Sequence, residues 1–242
     1  MTKSMVEPLC YGIVGDGRAA THFQYYISLM KGKSLQWSRK TQKETGLSAI
    51  EALQDADVIL VLISDMAIET WINTHRNHLK PKAWIHASGS LVTDLAQGVH
   101  PLYMLGDQLY DLEKYQSIPM ITELGNDPFS QWFPTWPNPH QAIDPNLKAL
   151  YHALCVVSGN FTSMLWQKVF SQMEQHCKLP GDILLPYLES VTHSLSVHKE
   201  KTKATGPISR GDQITIERNL EALKEIPELK SIYESFAKVF GS

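Results

Sequence analysis

Residues 11–23, "YGIVGDGRAATHF", set a glycine-punctuated turn directly after a short apolar run and directly before helix-compatible residues. Strand, tight turn and helix in that order open a parallel βαβ unit, which leaves few folds available to the chain. Gly15 permits the tight turn, Gly17 lets backbone come close to a ligand, and the small Ala20 lets the helix pack closely on the strand. "SLQW", residues 34–37, supplies a second strand. "DVILVLIS", residues 57–64, is a continuous β-branched run of the kind found in a parallel strand covered on both faces. Helix-compatible residues 67–79 follow, then "KAWIHASGS", a strand ending in small residues, and "SIPMITELG", residues 117–125, expected to add a strand to the same sheet. This alternation predicts an α/β fold, an N-terminal doubly wound parallel sheet.

After Gly125 the texture changes. "NDPFSQWFPTWPNPHQAIDPN" is rich in proline and aromatics, and no comparable strand candidate follows it. Leu147, Leu150, Leu154, Val157, Phe161 and Met164 repeat at spacings of three and four, one apolar face of a long helix. Residues 182–195 read as a helix that Pro186 could kink, and residues 212–223 and 228–240 as terminal helices. The expected division is residues 1–140 as the sheet domain and 141–242 as an all-helical domain.

With 242 residues, 43% of them hydrophobic, the chain can bury one large or two modest cores. A formal charge of −3 with scattered Lys and Arg lacks the basic stripe that nucleic acid or an anionic membrane requires. Three distant cysteines suggest neither a disulfide framework nor a cysteine zinc site, and His75 and His78 lack a third ligand at metal spacing. The start "MTKSMVEP" has no signal-peptide core, and no apolar run reaches the roughly 20 residues that span a bilayer. A cytoplasmic protein without metal, nucleic-acid or membrane partners is the expectation.

The glycine turn places helix N-terminal amides, from Arg18, Ala19 and Ala20 onward, where they can face the phosphates of a dinucleotide, with Asp16 between the two glycines. An NAD-type site carries Asp or Glu at the end of the second strand; here Ser38, Arg39 and Lys40 offer a hydroxyl and two cations, which suits the 2′-phosphate of NADP(H). A solvated basic loop is the plainer reading. Ligands of open α/β sheets sit beyond the carboxyl ends of strands, where Ser64-Asp65 and Ser88-Gly89-Ser90 stand, although Ser and Asp there also serve as helix caps. His86, inside a strand, reads as a core histidine; His100 begins a loop near the same edge.

"GDGRAA", "HASGSL" followed by "HPL", "YHALCVVSGNFTSML" and "TGPISRGD" occur in an order that resembles the Rossmann-like NADP oxidoreductases with a small helical C-terminal domain, in the 6-phosphogluconate dehydrogenase and ketopantoate reductase superfamily. One branch of these proteins serves as an alternative ketopantoate reductase in pantothenate synthesis. The resemblance implies that His152, Asn160, Arg210 and Asp212 fall at an inter-domain cleft, and that helical domains pair in a homodimer. His152 and Asn160 are about 12 Å apart along a helix and roughly 80° apart in direction, so they cannot both touch one reacting atom. Relatives use a lysine on this helix as proton donor; no lysine occupies the turn before Asn160, and Lys148 and Lys168 stand further off.

The resulting expectation is an NADPH-dependent reductase of a small 2-oxo acid, ketopantoate being the specific substrate expected. Arg210 would hold the substrate carboxylate, Asn160 the carbonyl or hydroxyl, and His100, His152 or water would deliver the proton. Asp212 reads equally as a helix N-cap, and an Arg210–Asp212 ion pair competes with the carboxylate role. The alternatives are an imine reductase resembling pyrroline-5-carboxylate reductase, whose substrate needs no acid, and a non-catalytic NADP-binding module.

Overall fold

A computed structural model describes residues 9–201 and 205–241. The expectation that Met1–Pro8 carries no leader concerns residues outside this range. Two compact units form, Met1–Leu165 and Trp166–Ser242, with the division inside one helix. The sequence texture suggested a boundary at residue 140, but strand and helix contacts tie the next 25 residues to the first unit.

The first unit is an α/β fold. Its elements begin with β1 (Cys10–Val14), α1 (Arg18–Leu29), β2 (Lys33–Trp37), α2 (Arg39–Thr45), α3 (Ala49–Leu53), β3 (Val58–Val61), α4 (Asp65–His75), β4 (Ala83–His86) and β5 (Gln97–Gly98). These strands form a parallel sheet in the order β2-β1-β3-β4-β5. Side chains of a strand alternate between faces, so Val58 and Leu60 of β3 enter one core and Ile59 and Val61 the other. The first core takes Phe23, Tyr26 and Ile27 from α1; the second takes Ile68 and Ile72 from α4. Both faces are covered, as the unbroken apolar run of β3 requires.

β6 (His100–Pro101), α5 (Leu112–Ser117), β7 (Met120–Glu123), α6 (Phe129–Trp132) and β8 (His140–Ile143) follow. Contrary to expectation, β7 does not extend the five-stranded sheet: it lies between β6 and β8 in a second, three-stranded sheet. β8 was not expected at all, because its four residues, HQAI, are largely exposed and carry no apolar alternation. The aromatic stretch fills the first core with Phe129, Trp132, Phe133 and Trp136. Buried Asn138 ties it down by accepting from Tyr26 Oη and donating to the carbonyls of Tyr115 and Ile118.

α7 (Lys148–Cys155) runs into a π-helical turn at Val156–Phe161 and on into α8 (Thr162–Gln175). The second unit continues with α9 (Leu185–His198), α10 (Pro207–Arg210), α11 (Gln213–Ala222) and α12 (Pro227–Phe240), and its described residues are helical or connecting. Pro186 does not kink α9; it sits in the first turn, where its missing N–H costs nothing. No helix among the described residues is long and apolar enough to cross a membrane.

Candidate functional site

The glycine turn adopts the conformation its sequence demands. Gly15 has φ +123°, and a Cβ there would lie 2.4 Å from the Leu62 carbonyl oxygen, so β1 and β3 can meet at this turn only through glycine. A Cβ on Gly17, by contrast, would meet nothing within 4 Å: the backbone there borders open space at the start of α1. Ala20 is fully buried against the sheet and Ala19 packs beside the core. Arg18 turns to the surface and pairs with Asp107 at 2.7 Å.

A cleft of about 560 Å³ opens in front of this turn, lined by Gly15, Asp16, Gly17, Ser38, Ser64 and the two indoles Trp37 and Trp71, among others. The indole rings are 5.8 Å apart, and the Nε1 of each is buried without a hydrogen-bond partner among the described residues. A neighbouring hollow of about 390 Å³ is lined by Asp16, Arg39, Lys40 and Lys43, which adds a third cation that the strand-end reading did not include. Lys43 lies one helical turn after Arg39, a spacing that sets both on one face of α2. Ser38 is committed locally: its hydroxyl accepts from Thr41 N at 3.0 Å and caps α2. Arg39, Lys40 and Lys43 make no side-chain hydrogen bond or ion pair among the described residues.

At the carboxyl ends of β3 and β4, the Ser88 hydroxyl donates to Asp65 Oδ2 at 2.5 Å and accepts from the backbone N–H groups of Ser90 and Leu91. Ser64 precedes α4 without capping it through its side chain. The Ser88-Gly89-Ser90 loop is thus pinned on both sides of Gly89. A Cβ on Gly89 would lie 2.5 Å from His152 Cδ2 and 3.1 Å from His100 Nε2, so glycine here lets both imidazoles pack directly against the loop. The two rings stand nearly perpendicular, 6.1 Å apart. His86, fully buried at the end of β4, accepts from Ser88 N at Nδ1, and its Nε2 has no partner among the described residues.

α7 presents this cluster from one face. Lys148, Tyr151, His152 and Cys155 follow the i, i+3, i+4, i+7 pattern of a single helix stripe. Lys148 is buried and bonded to the carboxylate of Glu123, at the end of β7, and to the Leu91 carbonyl. Gly98 makes room for that pair: a Cβ there would collide with both charged groups. Tyr151 Oη is 2.7 Å from His100 Nδ1. Burial, reinforced for His100 by the charges of His152 and Lys148 and for His86 by Lys148, pushes both imidazoles down to about 4, so both are neutral near pH 7.

Of the candidates from sequence, the first unit therefore brings together the glycine turn with Arg39 and Lys40, and His100 with His152. Asn160 is exposed within the π-helical turn, away from the stripe that carries His152. Arg210 and Asp212 belong to the second unit, where Asp212 caps α11 by accepting from Thr215 N and Oγ1 and Arg210 is exposed at the end of α10. Lys148, Glu123, Tyr151 and Lys43 were missed. The available signal was the pair of charges inside apolar context, Glu123 closing "MITE" and Lys148 four residues before His152. Among the described residues no three His, Cys, Asp or Glu are grouped to hold a metal ion.

Residues 131–239 match a family model described as a domain of unknown function, DUF2520. No curated protein matches the chain by sequence. Solved structures share its fold along nearly its whole length. A Bacteroides fragilis protein assigned as an NADP oxidoreductase superposes with TM-score 0.81 at 18% identity, over 97% of this chain and 98% of that one. A Thermotoga maritima protein gives 0.66 at 19%, over 95% and 96%. The reductive aminase of Aspergillus terreus, solved with NADPH and ethyl levulinate, gives 0.65 at 12%, over 97% and 95%. At such identities the likeness establishes the fold: a Rossmann-type α/β unit followed by helices.

Proposed function

We propose that this chain is an NADPH-dependent oxidoreductase that reduces a small 2-oxo acid, with ketopantoate as the substrate to test first. The observation that carries the reading is the junction of the Gly15–Gly17 turn with the three cations Arg39, Lys40 and Lys43 around Asp16. The turn offers amides and open space to a pyrophosphate, and the cations offer charge-assisted bonds to a 2′-phosphate. The unpartnered indole N–H groups of Trp37 and Trp71 in the same cleft support a fit to a ligand with acceptor atoms. The fold-sharing protein assigned as an NADP oxidoreductase and the aminase solved with NADPH agree with this choice.

The cofactor supplies the hydride; the chain binds, orients and manages the proton. His100 and His152 pack against Gly89 at the strand ends and are the candidates for the proton. Asn160, on the following π-helical turn, is proposed as a donor to the substrate oxygen; π turns inserted in α-helices often mark functional positions. A second reading, reduction of an imine, is favoured by the shared fold with the reductive aminase and with an imine reductase from Streptomyces aurantiacus. We also propose that the chain works as a homodimer, through the exposed apolar stripe of α7 and α8.

The test is oxidation of NADPH in the presence of ketopantoate, pyruvate and a cyclic imine, with Arg39→Ala run alongside. Turnover with the 2-oxo acid, and a loss of NADPH affinity in Arg39→Ala of about tenfold or more with NADH little changed, is the expected result. Equal losses for both cofactors would remove the 2′-phosphate assignment. Turnover of the imine alone would move the substrate to the second reading, and tight NADPH binding without any turnover would leave a binding module.

A further inference from the structure

The bond between Tyr151 and His100 has a direction, and that direction gives the imidazole a task. His100 is neutral, so one ring nitrogen carries a proton and the other accepts. Tyr151 keeps its phenolic proton, since burial and the neighbouring Cys155 raise its pKa. A phenol O–H needs an acceptor, and the nearby choices are a nitrogen lone pair at 2.7 Å and the softer Cys155 sulfur. The nitrogen is the stronger acceptor. With Tyr151 donating to Nδ1, the His100 proton sits on Nε2. That atom makes no hydrogen bond to any described residue, and its ring is only half-buried, packed beside Gly89 at the strand ends.

Resting on the reductase reading above, we propose that His100 Nε2 delivers the proton to the substrate oxygen and that Tyr151 is the positioning residue that sets its tautomer and refills it. When hydride has reached the carbonyl carbon, the C=O π pair resides on oxygen as an alkoxide. An O–H bond forms there as the Nε2–H bond of His100 breaks. Nδ1 gains a proton as the Tyr151 O–H bond breaks, so the imidazole passes from one neutral tautomer to the other and never becomes an anion. The tyrosinate then takes a proton from water, which balances the step without a further oxidant or reductant.

The surroundings suit a neutral relay. His100 is faced by Tyr151, His152 and Lys148 from α7, by His86 from β4 and by Asp65 from α4, while Cys155 adjoins Tyr151. The buried Lys148 ammonium disfavours an imidazolium, and the His100 ring remains half-buried. An iminium substrate has no need of this proton, because hydride transfer turns its nitrogen directly into a neutral amine. The dyad thus discriminates between the two substrate classes still open for this chain.

The test uses the full chain with 15N-labelled histidine. In the free protein near neutral pH, two-bond 15N–1H correlations should show His100 as the Nε2–H tautomer, and Tyr151→Phe should turn it into a mixture. With a 2-oxo acid, the same variant should lower kcat by about a hundredfold, leave the Kd for NADPH unchanged and leave iminium reduction unchanged. An Nδ1–H tautomer in the wild type, or one indifferent to Tyr151→Phe, overturns the dyad. A tautomer shift without loss of kcat overturns the donor role. Absence of oxo-acid turnover in the wild type overturns the reductase reading and the donor role with it, a failure told apart from the first because the tautomer is read without substrate.

Discussion

Two imidazoles set how the residues of this chain respond to acid. His86 and His100 both lie near 4 in the folded chain and near 6.5 when unfolded, because burial disfavours the imidazolium. Between those values the unfolded chain binds more protons than the folded one, so stability is complete above about 6.5 and falls as pH drops toward 4. Each imidazole contributes a slope approaching about 1.4 kcal/mol per pH unit inside the window. Urea midpoints measured from pH 7 down to pH 5, where most carboxylates remain ionised, should fall steadily, and His100→Gln should remove close to half of the slope. An unchanged slope in that variant would mean that His100 is readily protonated in the folded chain. The same window bears on the relay, since a protonated His100 loses the acceptor that Tyr151 uses.

At the scale of elements, α7 is fastened to the strand ends by one buried ion pair, Lys148 with Glu123, seated over Gly98. Breaking such a pair on one side leaves a buried charge uncompensated and costs about 3–5 kcal/mol, whereas replacing both partners with apolar side chains restores most of the loss. Lys148→Met should therefore lower the urea midpoint sharply, and Lys148→Met with Glu123→Leu should recover much of it; a double variant no better than the single would show that the pair does not hold the helix. Why these residues escaped a reading of the sequence is physical. β1, β3 and β4 were legible because apolar runs buried on both faces look like nothing else, and the turn at Gly15 because its conformation excludes other residues. β8 and the partners of β7 were not, since pairing is decided by contacts distant in sequence. Lys148 is four residues from His152, yet only the fold reveals that it reaches Glu123, 25 positions earlier. Asp212 carried two meanings in the sequence, and its bonds to Thr215 supply the capping one.

At the scale of the whole molecule the question is what covers the other side of α7. The stripe with Lys148, Tyr151 and His152 faces inward, and Leu147, Leu150, Leu154, Val157, Phe161 and Met164 are each more than half exposed. Their 3-4-3-4-3 spacing is that of a coiled-coil seam, which a second helix of the same kind can interlock with. The second unit points the same way: among its described residues only Gly181 and Ile216 are buried, and Ile232, Phe236, Val239 and Phe240 of α12 stand exposed. Such a unit lacks the core that a helical fold needs on its own. Half-exposed side chains at six stripe positions amount to roughly 600 Å² of apolar surface per copy, so two stripes alone reach the lower end of what a stable interface buries. Apolar cores left half-built in this way are characteristic of permanent homo-oligomers, in which the same patch meets itself across a twofold axis. Light scattering during size-exclusion chromatography should therefore give about twice the 27.3 kDa chain mass. Phe161→Asp combined with Met164→Asp, which desolvates like charges against each other across the seam, should shift the protein to monomer or to aggregate and lower its thermal midpoint. A wild-type monomer at micromolar concentration would show that these side chains are tolerated in water, and that the stripe serves a different partner.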